Sequence, residues 1–168
     1  MTRFDRGFTW ILRWEGDYSD HPADRGGKTK YGISAAAHPG LDIEALTKTQ
    51  ARSIYHDDYW LSARCNRMPE RLDIVAFDTA VLHGPKMAIV LLQQSLGVAA
   101  DGIYGPVTNR AAWQAEPRMR GLIHDILSRR LLFVSDLVSA DSSQAAFLRG
   151  WFRRILALQT HVTCPGAF

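Results

Sequence analysis

The chain has 168 residues, 46% of them hydrophobic and 22% charged, enough to build a core that needs no metal or disulfide support. These proportions exclude a disordered or low-complexity chain. A formal net charge of +3 gives a modest pull towards anionic surfaces and cannot by itself say which.

Phe4, Phe8, Ile11, Leu12 and Glu15 recur at helical spacing, so the first predicted helix has an apolar face that Glu15 closes, with Gly16 as its stop. The charges in Met1-Thr-Arg-Phe-Asp-Arg-Gly-Phe8 and the lack of a small-residue cleavage site read against a secretory signal. No stretch reaches the roughly 18 apolar residues of a membrane span. The expectation is synthesis in the cytoplasm, no stable membrane insertion, and a separate exit route for any work outside. Residues 16–39 are rich in Gly, Pro, Asp and Ser and too long for a plain connector, which predicts a functional loop or a small β-hairpin.

Thr47-Lys-Thr-Gln50 has capping-box spacing and opens a second helix that carries Ala51, Ile54, Tyr55 and Tyr59 and ends near Trp60. A third helix is predicted over 70–83. It stops at Gly84-Pro85, where the proline suits the first turn of a fourth helix that ends at Gly97. Asp101-Gly-Ile-Tyr-Gly-Pro106 is a turn cluster. A short helix over 107–114 and two longer ones, over about 118–139 and 142–160, complete the chain. The fold class is all-α, with a small β element after the first helix.

Glu15 closes an apolar face beside Trp14 and Tyr18, a setting that favours a protonated carboxyl able to give its proton to a leaving oxygen. Glycoside hydrolysis pairs such an acid with a second carboxylate or a positioned water. The loop offers Asp17, Asp20 and Asp24, with Thr29 and Tyr31 as hydroxyl donors. The chain carries no GxSxG elbow, HExxH pair or phosphate-cradling loop. His21, His38, His56, His83, His124 and His161 lack paired spacing, so neither a metal nor a cofactor is expected. Cys65 and Cys164 stand far apart without a CxxC partner and read as free thiols. Arg129-Arg130 and Arg153-Arg154 read as solvated helix faces rather than a nucleic-acid stripe.

Trp14-Glu-Gly-Asp-Tyr-Ser-Asp-His-Pro-Ala-Asp-Arg-Gly-Gly-Lys-Thr-Lys-Tyr-Gly-Ile-Ser34 resembles the signature of glycoside hydrolase family 108, roughly EGGY, DP, then DxGGxTxxGI. Ile54-Tyr-His-Asp-Asp-Tyr-Trp60 is similar to its IYxxxYW, and Ala76-Phe-Asp-Thr-Ala-Val-Leu-His-Gly-Pro85 to the segment before its peptidoglycan-binding part. Leu92-Gln-Gln-Ser-Leu-Gly-Val98, Asp101-Gly-Ile-Tyr-Gly-Pro-Val-Thr108 and Gly150-Trp-Phe-Arg-Arg154 resemble that part's LQxxLGV, DGxxGPxT and GWxxR. Asp17 departs from the second glycine of EGGY, and Leu82 from a frequent Asn.

The resemblance implies a lysozyme-like domain over 1–168, with a catalytic half at 1–84 and a helical part at 85–168 that resembles a peptidoglycan-binding region. It implies an N-acetylmuramidase that cuts the β-1,4 bond beside N-acetylmuramic acid in peptidoglycan. Glu15 is then the catalytic acid. A related phage-lysozyme pattern sets an Asp nine residues after that Glu and a Thr six further on; Asp24 has the first spacing and Thr29 falls one residue short. Asp24 and Thr29 are thus the water-positioning candidates, with Asp20 in reserve. Tyr18, Asp20, Tyr31, Asp78, His83 and Tyr104 are the expected substrate contacts. A phage-type endolysin would act as a monomer in the periplasm after holin-dependent release. Two other readings stay open: a lytic transglycosylase, and a non-catalytic wall-binding or secretion-assisting protein in which residues 92–108 hold peptidoglycan.

Overall fold

The structure, a computed structural model, describes residues 1–15, 18–19 and 29–164, with 18–19 as backbone only. The chain divides into two compact units, Met1–Ser62 and Ala63–Phe168.

In the first unit, α1 (Arg3–Leu12) starts at a capping box in which Thr2 and Asp5 satisfy each other's backbone N–H. Arg52 pairs with the same Asp5 at 2.7 Å. Phe4, Phe8 and Ile11 are buried, as their spacing predicts. The Phe4 ring lies 5.5 Å from Trp60 and the Phe8 ring 5.5 Å from Tyr55. α1 therefore packs on α2 (Lys48–Ile54), which opens in the expected Thr47–Gln50 capping box, and on the π-helical turns Tyr55–Leu61 that prolong it. Between these helices lie three two-residue strands: β1 (Tyr18–Ser19), β2 (Thr29–Lys30) and β3 (Ile33–Ser34). They form an antiparallel sheet in the order β1-β2-β3, with Tyr18 opposite Lys30 and Lys30 opposite Ile33. The expected β element after the first helix is thus present, with three strands.

The second unit holds α3 (Leu72–His83), α4 (Pro85–Leu96), α5 (Pro106–Gln114), α6 (Met119–Ala140) and α7 (Ala145–Thr163). Every residue from Leu72 to Ala80 is buried, so α3 is the central helix, covered all round rather than on one stripe. Gly84 turns the chain into α4, and Gly97, at φ 71°, closes it as a left-handed cap. Among the described residues no helix is long and apolar enough to cross a membrane. Cys65 is buried, Cys164 is exposed, and neither is in a disulfide.

Burying α3 on all sides also buries Asp78. Its two oxygens accept from Arg130 Nη1 at 2.7 Å and Arg154 Nε at 2.8 Å. Burial alone would push this carboxyl up; the two guanidiniums outweigh it and hold Asp78 below the ordinary carboxylate range. The arginine pairs on α6 and α7 are therefore only half solvated. Arg129 and Arg153 are exposed, but Arg130 and Arg154 point into the core, because helical neighbours lie about 100° apart. His83, at the end of α3, packs edge-on to Phe133 and Trp151, and burial first, then the charge of Arg130, lowers its imidazole to about 3.

Asp78→Asn keeps the shape and removes the buried carboxylate to which both guanidiniums donate. It should lose about 3–5 kcal/mol of stability, seen as a fall of about 10 °C or more in thermal midpoint; a midpoint within about 2 °C of the parent would refute the role given to Asp78. His83 adds a pH dependence. The unfolded imidazole protonates near 6.5, the folded one only near 3. The unfolded chain binds more protons between those values, so stability falls as pH is lowered through that window and owes nothing to His83 above it. Thermal midpoints of His83→Phe should decline less steeply than wild type across the window; parallel curves would rule His83 out as a source of acid lability.

Candidate active site

α1 ends at Leu12, three residues earlier than the sequence predicts for the element that carries Glu15. Its last carbonyls still hold the residues beyond it. The N–H groups of Trp14 and Glu15 both donate to Ile11 O, at 2.9 and 3.1 Å, so Glu15 sits in a turn fixed to the helix end. The side chain is half-buried. Trp14 beside it is tilted against Trp10, with ring centroids 5.7 Å apart.

What Glu15 rests against is a glycine. β2 and β3 are joined by Tyr31 and Gly32, at φ 52° and 76°, the two positive φ values of a type I′ turn. A Cβ added to Gly32 would come within 2.7 Å of Glu15 Oε2, 2.8 Å of Glu15 Cγ and 2.5 Å of the Tyr55 hydroxyl. Only a residue without a side chain leaves the Glu15 carboxyl its place. Tyr31 is not a glycine, and its left-handed backbone is strained. The buried Tyr55 hydroxyl compensates by donating to Tyr31 O at 2.9 Å.

Tyr59, one turn beyond Tyr55, completes the group. Its ring lies 5.5 Å from that of Tyr55. Burial, then the negative charges of Asp58 and Glu15, push the Tyr59 phenol up. It therefore stays protonated within the field of Glu15.

The other expected site residues separate into three groups. Thr29 is half-buried on β2, two positions before Tyr31, and pairs with Ser19 and Ser34. Tyr31 is half-buried with Lys30 Nζ 5.8 Å from its ring centroid. Asp20, Asp24 and the side chain of Tyr18 lie outside the described residues, as do Asp17, His21 and Arg25. Two substrate contacts are corrected. Asp78 is fully buried between two arginines, and Tyr104 is only 6% exposed, with its hydroxyl on Asn109 Oδ1 at 3.3 Å. Neither can lie along a sugar. His83 belongs to the second unit with Asp78. Sequence reasoning placed Tyr55 and Tyr59 only at helical intervals on the second helix and missed their place beside Glu15; the i, i+4 tyrosines of Ile54-Tyr-His-Asp-Asp-Tyr-Trp60 were the available signal.

Residues 8–84 match the family model described as glycosyl hydrolase 108, and residues 87–156 match the one described as a predicted peptidoglycan domain. The solved structure of SagA from Brucella abortus is similar over 98% of each chain, at 27% sequence identity and a TM-score of 0.82. The mainly helical fold is lysozyme-like. No curated protein matches the chain. Glu15, Thr29, Tyr31, Gly32, Tyr55 and Tyr59 all lie inside the glycosyl hydrolase match.

Gly32→Ala should cost about 1 kcal/mol or more through its positive φ and, by displacing Glu15, abolish clearing of purified sacculi. Gly40 is the control, since it shares a positive φ of 90° but has nothing within 4 Å. Gly40→Ala should lose stability and keep activity; equal activity in the two variants would discount the seat described for Glu15.

Proposed function

We propose that the chain, whose residues 8–84 match the glycosyl hydrolase 108 model and whose residues 87–156 match a predicted peptidoglycan domain, is an N-acetylmuramidase. The bond cleaved is the β-1,4 link between N-acetylmuramic acid and N-acetylglucosamine. The observation that carries the reading is the Glu15 carboxyl seated against the Gly32 backbone beside Tyr55 and Tyr59, a single acid held in one orientation in a partly apolar setting.

Glu15 gives its proton to the glycosidic oxygen as the bond to the anomeric carbon breaks and the electron pair leaves with that oxygen. Positive charge grows on the ring. Water then adds to the anomeric carbon and gives up a proton, and Asp24, helped by the Thr29 hydroxyl, directs that water and takes the proton. In this form the reaction inverts the anomeric centre. A carboxyl separation of roughly 6.5–9.5 Å agrees with it, whereas about 5–5.5 Å would make Asp24 a nucleophile and the reaction retaining. Tyr18 of β1 and Tyr31 of the β2–β3 turn are the sugar contacts this reading expects. The resemblance of the motifs to phage-type enzymes supports extending the proposal to host-cell lysis, with synthesis in the cytoplasm, holin-dependent release and action on the wall as a monomer.

Outer-membrane-stripped Gram-negative sacculi, with the released ends identified by mass, test this. Wild type should release reducing N-acetylmuramic acid, and Glu15→Gln should be slower by about 10²–10⁴, the usual share of a general acid, while still sedimenting with the wall. Release of 1,6-anhydro ends would replace the hydrolase with a transglycosylase and remove the role of Asp24. Sedimentation without turnover in both proteins would leave only wall binding.

A further inference from the structure

Ile103 and Val107 of the stretch that resembles a wall-binding motif are exposed, but its polar side chains are turned on one another. Gln93 is buried, and its amide nitrogen donates to Asp101 Oδ1 at 2.8 Å, Ile103 O at 3.0 Å and Thr108 Oγ1 at 3.0 Å. Gly102 N–H returns a bond to Gln93 Oε1 at 2.8 Å. One side chain on α4 thus pins the whole Asp101–Thr108 turn and fixes where α5 begins. Gly102 lies so close to Lys86 that a Cβ there would meet its Cγ at 2.7 Å. These motif residues hold one another. The surface they position is the outer face of α5.

That face has an uncommon composition. Thr108, Ala112 and Ala115 turn inward and are buried, while Arg110, Trp113 and Gln114 face out. With Arg67, Pro106 and Asn109 they line an open groove of about 630 Å³. Trp113 is 47% exposed, yet its indole N–H donates to Arg67 O at 3.0 Å. The ring is held by a hydrogen bond while its surface stays in water, which makes it a rigid platform rather than a stray apolar residue. Asn109 is fixed at the groove wall by the Tyr104 hydroxyl. The lining holds two guanidiniums and no carboxylate.

We propose that this α5 groove is the surface by which the second unit grips peptidoglycan, with Trp113 stacked on a sugar face and Arg67 and Arg110 on the carboxylates of the peptide stems. A peptidoglycan strand supplies what the groove accepts: flat C–H sugar faces for the indole, N-acetyl amides for Asn109 and Gln114, and anionic stems for a groove with only positive charge. The choice of polymer rests on the wall-enzyme reading above; the groove and its platform do not.

The test uses the full chain with Glu15→Gln as the parent, so that binding is measured without turnover, and purified Gram-negative sacculi as the probe. In sedimentation, Trp113→Ala and Arg110→Glu should each bind about tenfold or more weakly. Trp113→Tyr should recover most of the loss. Leu156→Ala, which removes an exposed apolar side chain outside the groove, should bind as the parent does. Chitin, which has the sugar and the amide but no stems, should distinguish the two anchors: Trp113→Ala weakens binding to it and Arg110→Glu does not. Parent-like sedimentation of both variants, at unchanged thermal midpoints, overturns the proposal, as does a parent that fails to sediment. Unchanged wall binding with loss of binding to a single-stranded oligonucleotide would overturn it in favour of a nucleic-acid surface. Wild type is run on the same sacculi. If it releases no reducing N-acetylmuramic acid, the muramidase reading fails whatever the groove variants do.

Discussion

A buried carboxylate cannot stay charged alone, and the second unit is arranged around that constraint. Asp78 sits on the central helix, fully removed from water, and its two oxygens are each taken by a guanidinium from another helix, Arg130 of α6 and Arg154 of α7. Their partners stand 52 and 76 positions away in sequence. An apolar core can slide by a methyl group at little cost, whereas a charge pair with bonds of 2.7 and 2.8 Å allows one register of three helices. Beside the cluster, burial among aromatic rings first and the charge of Arg130 second keep His83 neutral. α4 lies against α3, and from α4 the Gln93 side chain sets the start of α5. The placement of the Trp113 groove thus traces back, contact by contact, to one ion cluster.

The first unit solves its placement problem with rings and backbone. Phe4 and Phe8 of α1 meet Trp60 and Tyr55, which fixes the helix whose last carbonyl carries Glu15. The same Tyr55 reaches the Tyr31 carbonyl, which fixes the turn that seats the carboxyl. One side chain therefore contacts both sides of the Glu15 seat. The π-helical turns help make this work, because widening the helix changes the phase at which Tyr55 and Tyr59 emerge relative to an α-helix. The left-handed Tyr31 costs about 1–3 kcal/mol in isolation; the hydrogen bond from a buried phenol and the sheet on either side offset it. Strain of this kind persists where the surroundings over-determine the backbone, and here they do so beside the proposed proton donor.

Much of this is legible in the sequence alone. Capping residues and glycines are local signals, so Thr47–Gln50, Gly84-Pro85 and Gly97 mark their boundaries to within a residue or two. The end of α1 is misplaced for a physical reason. The apolar period runs on through Glu15, and Ile11 O still accepts an i+4 bond beyond Leu12, so neither signal announces that the regular helix has stopped. The π-helical register leaves no trace in composition. Least legible is Asp78: nothing near it in sequence distinguishes an aspartate that touches substrate from one locked to arginines on distant helices. Arg130 and Arg154 are hidden in the same way, each beside an exposed arginine that fits the solvated reading. Trp113 is easily passed over because it falls in a short alanine-rich helix, and its exposure follows only once Ala112 and Ala115 are seen to face inward.

The two divisions of the chain do not coincide, and the difference bears on how it works. By sequence, the glycosyl hydrolase match runs to residue 84 and the predicted peptidoglycan domain starts at residue 87; by packing, the boundary falls between Ser62 and Ala63. α3 is the reason. It lies within the hydrolase match, but its buried residues belong to the second unit, and the arginines that neutralise Asp78 lie inside the peptidoglycan-domain match. A cut at Gly84-Pro85 would leave the first piece with an apolar helix open to water and a carboxylate without its counter-charges. The second piece would keep Arg130 and Arg154 facing an empty core. The two family segments are therefore not two folding modules joined by a linker. The α3–α6–α7 cluster ties the last helix of the hydrolase segment to the peptidoglycan segment, so losing α6 and α7 would strip α3 of its cover and Asp78 of two guanidiniums.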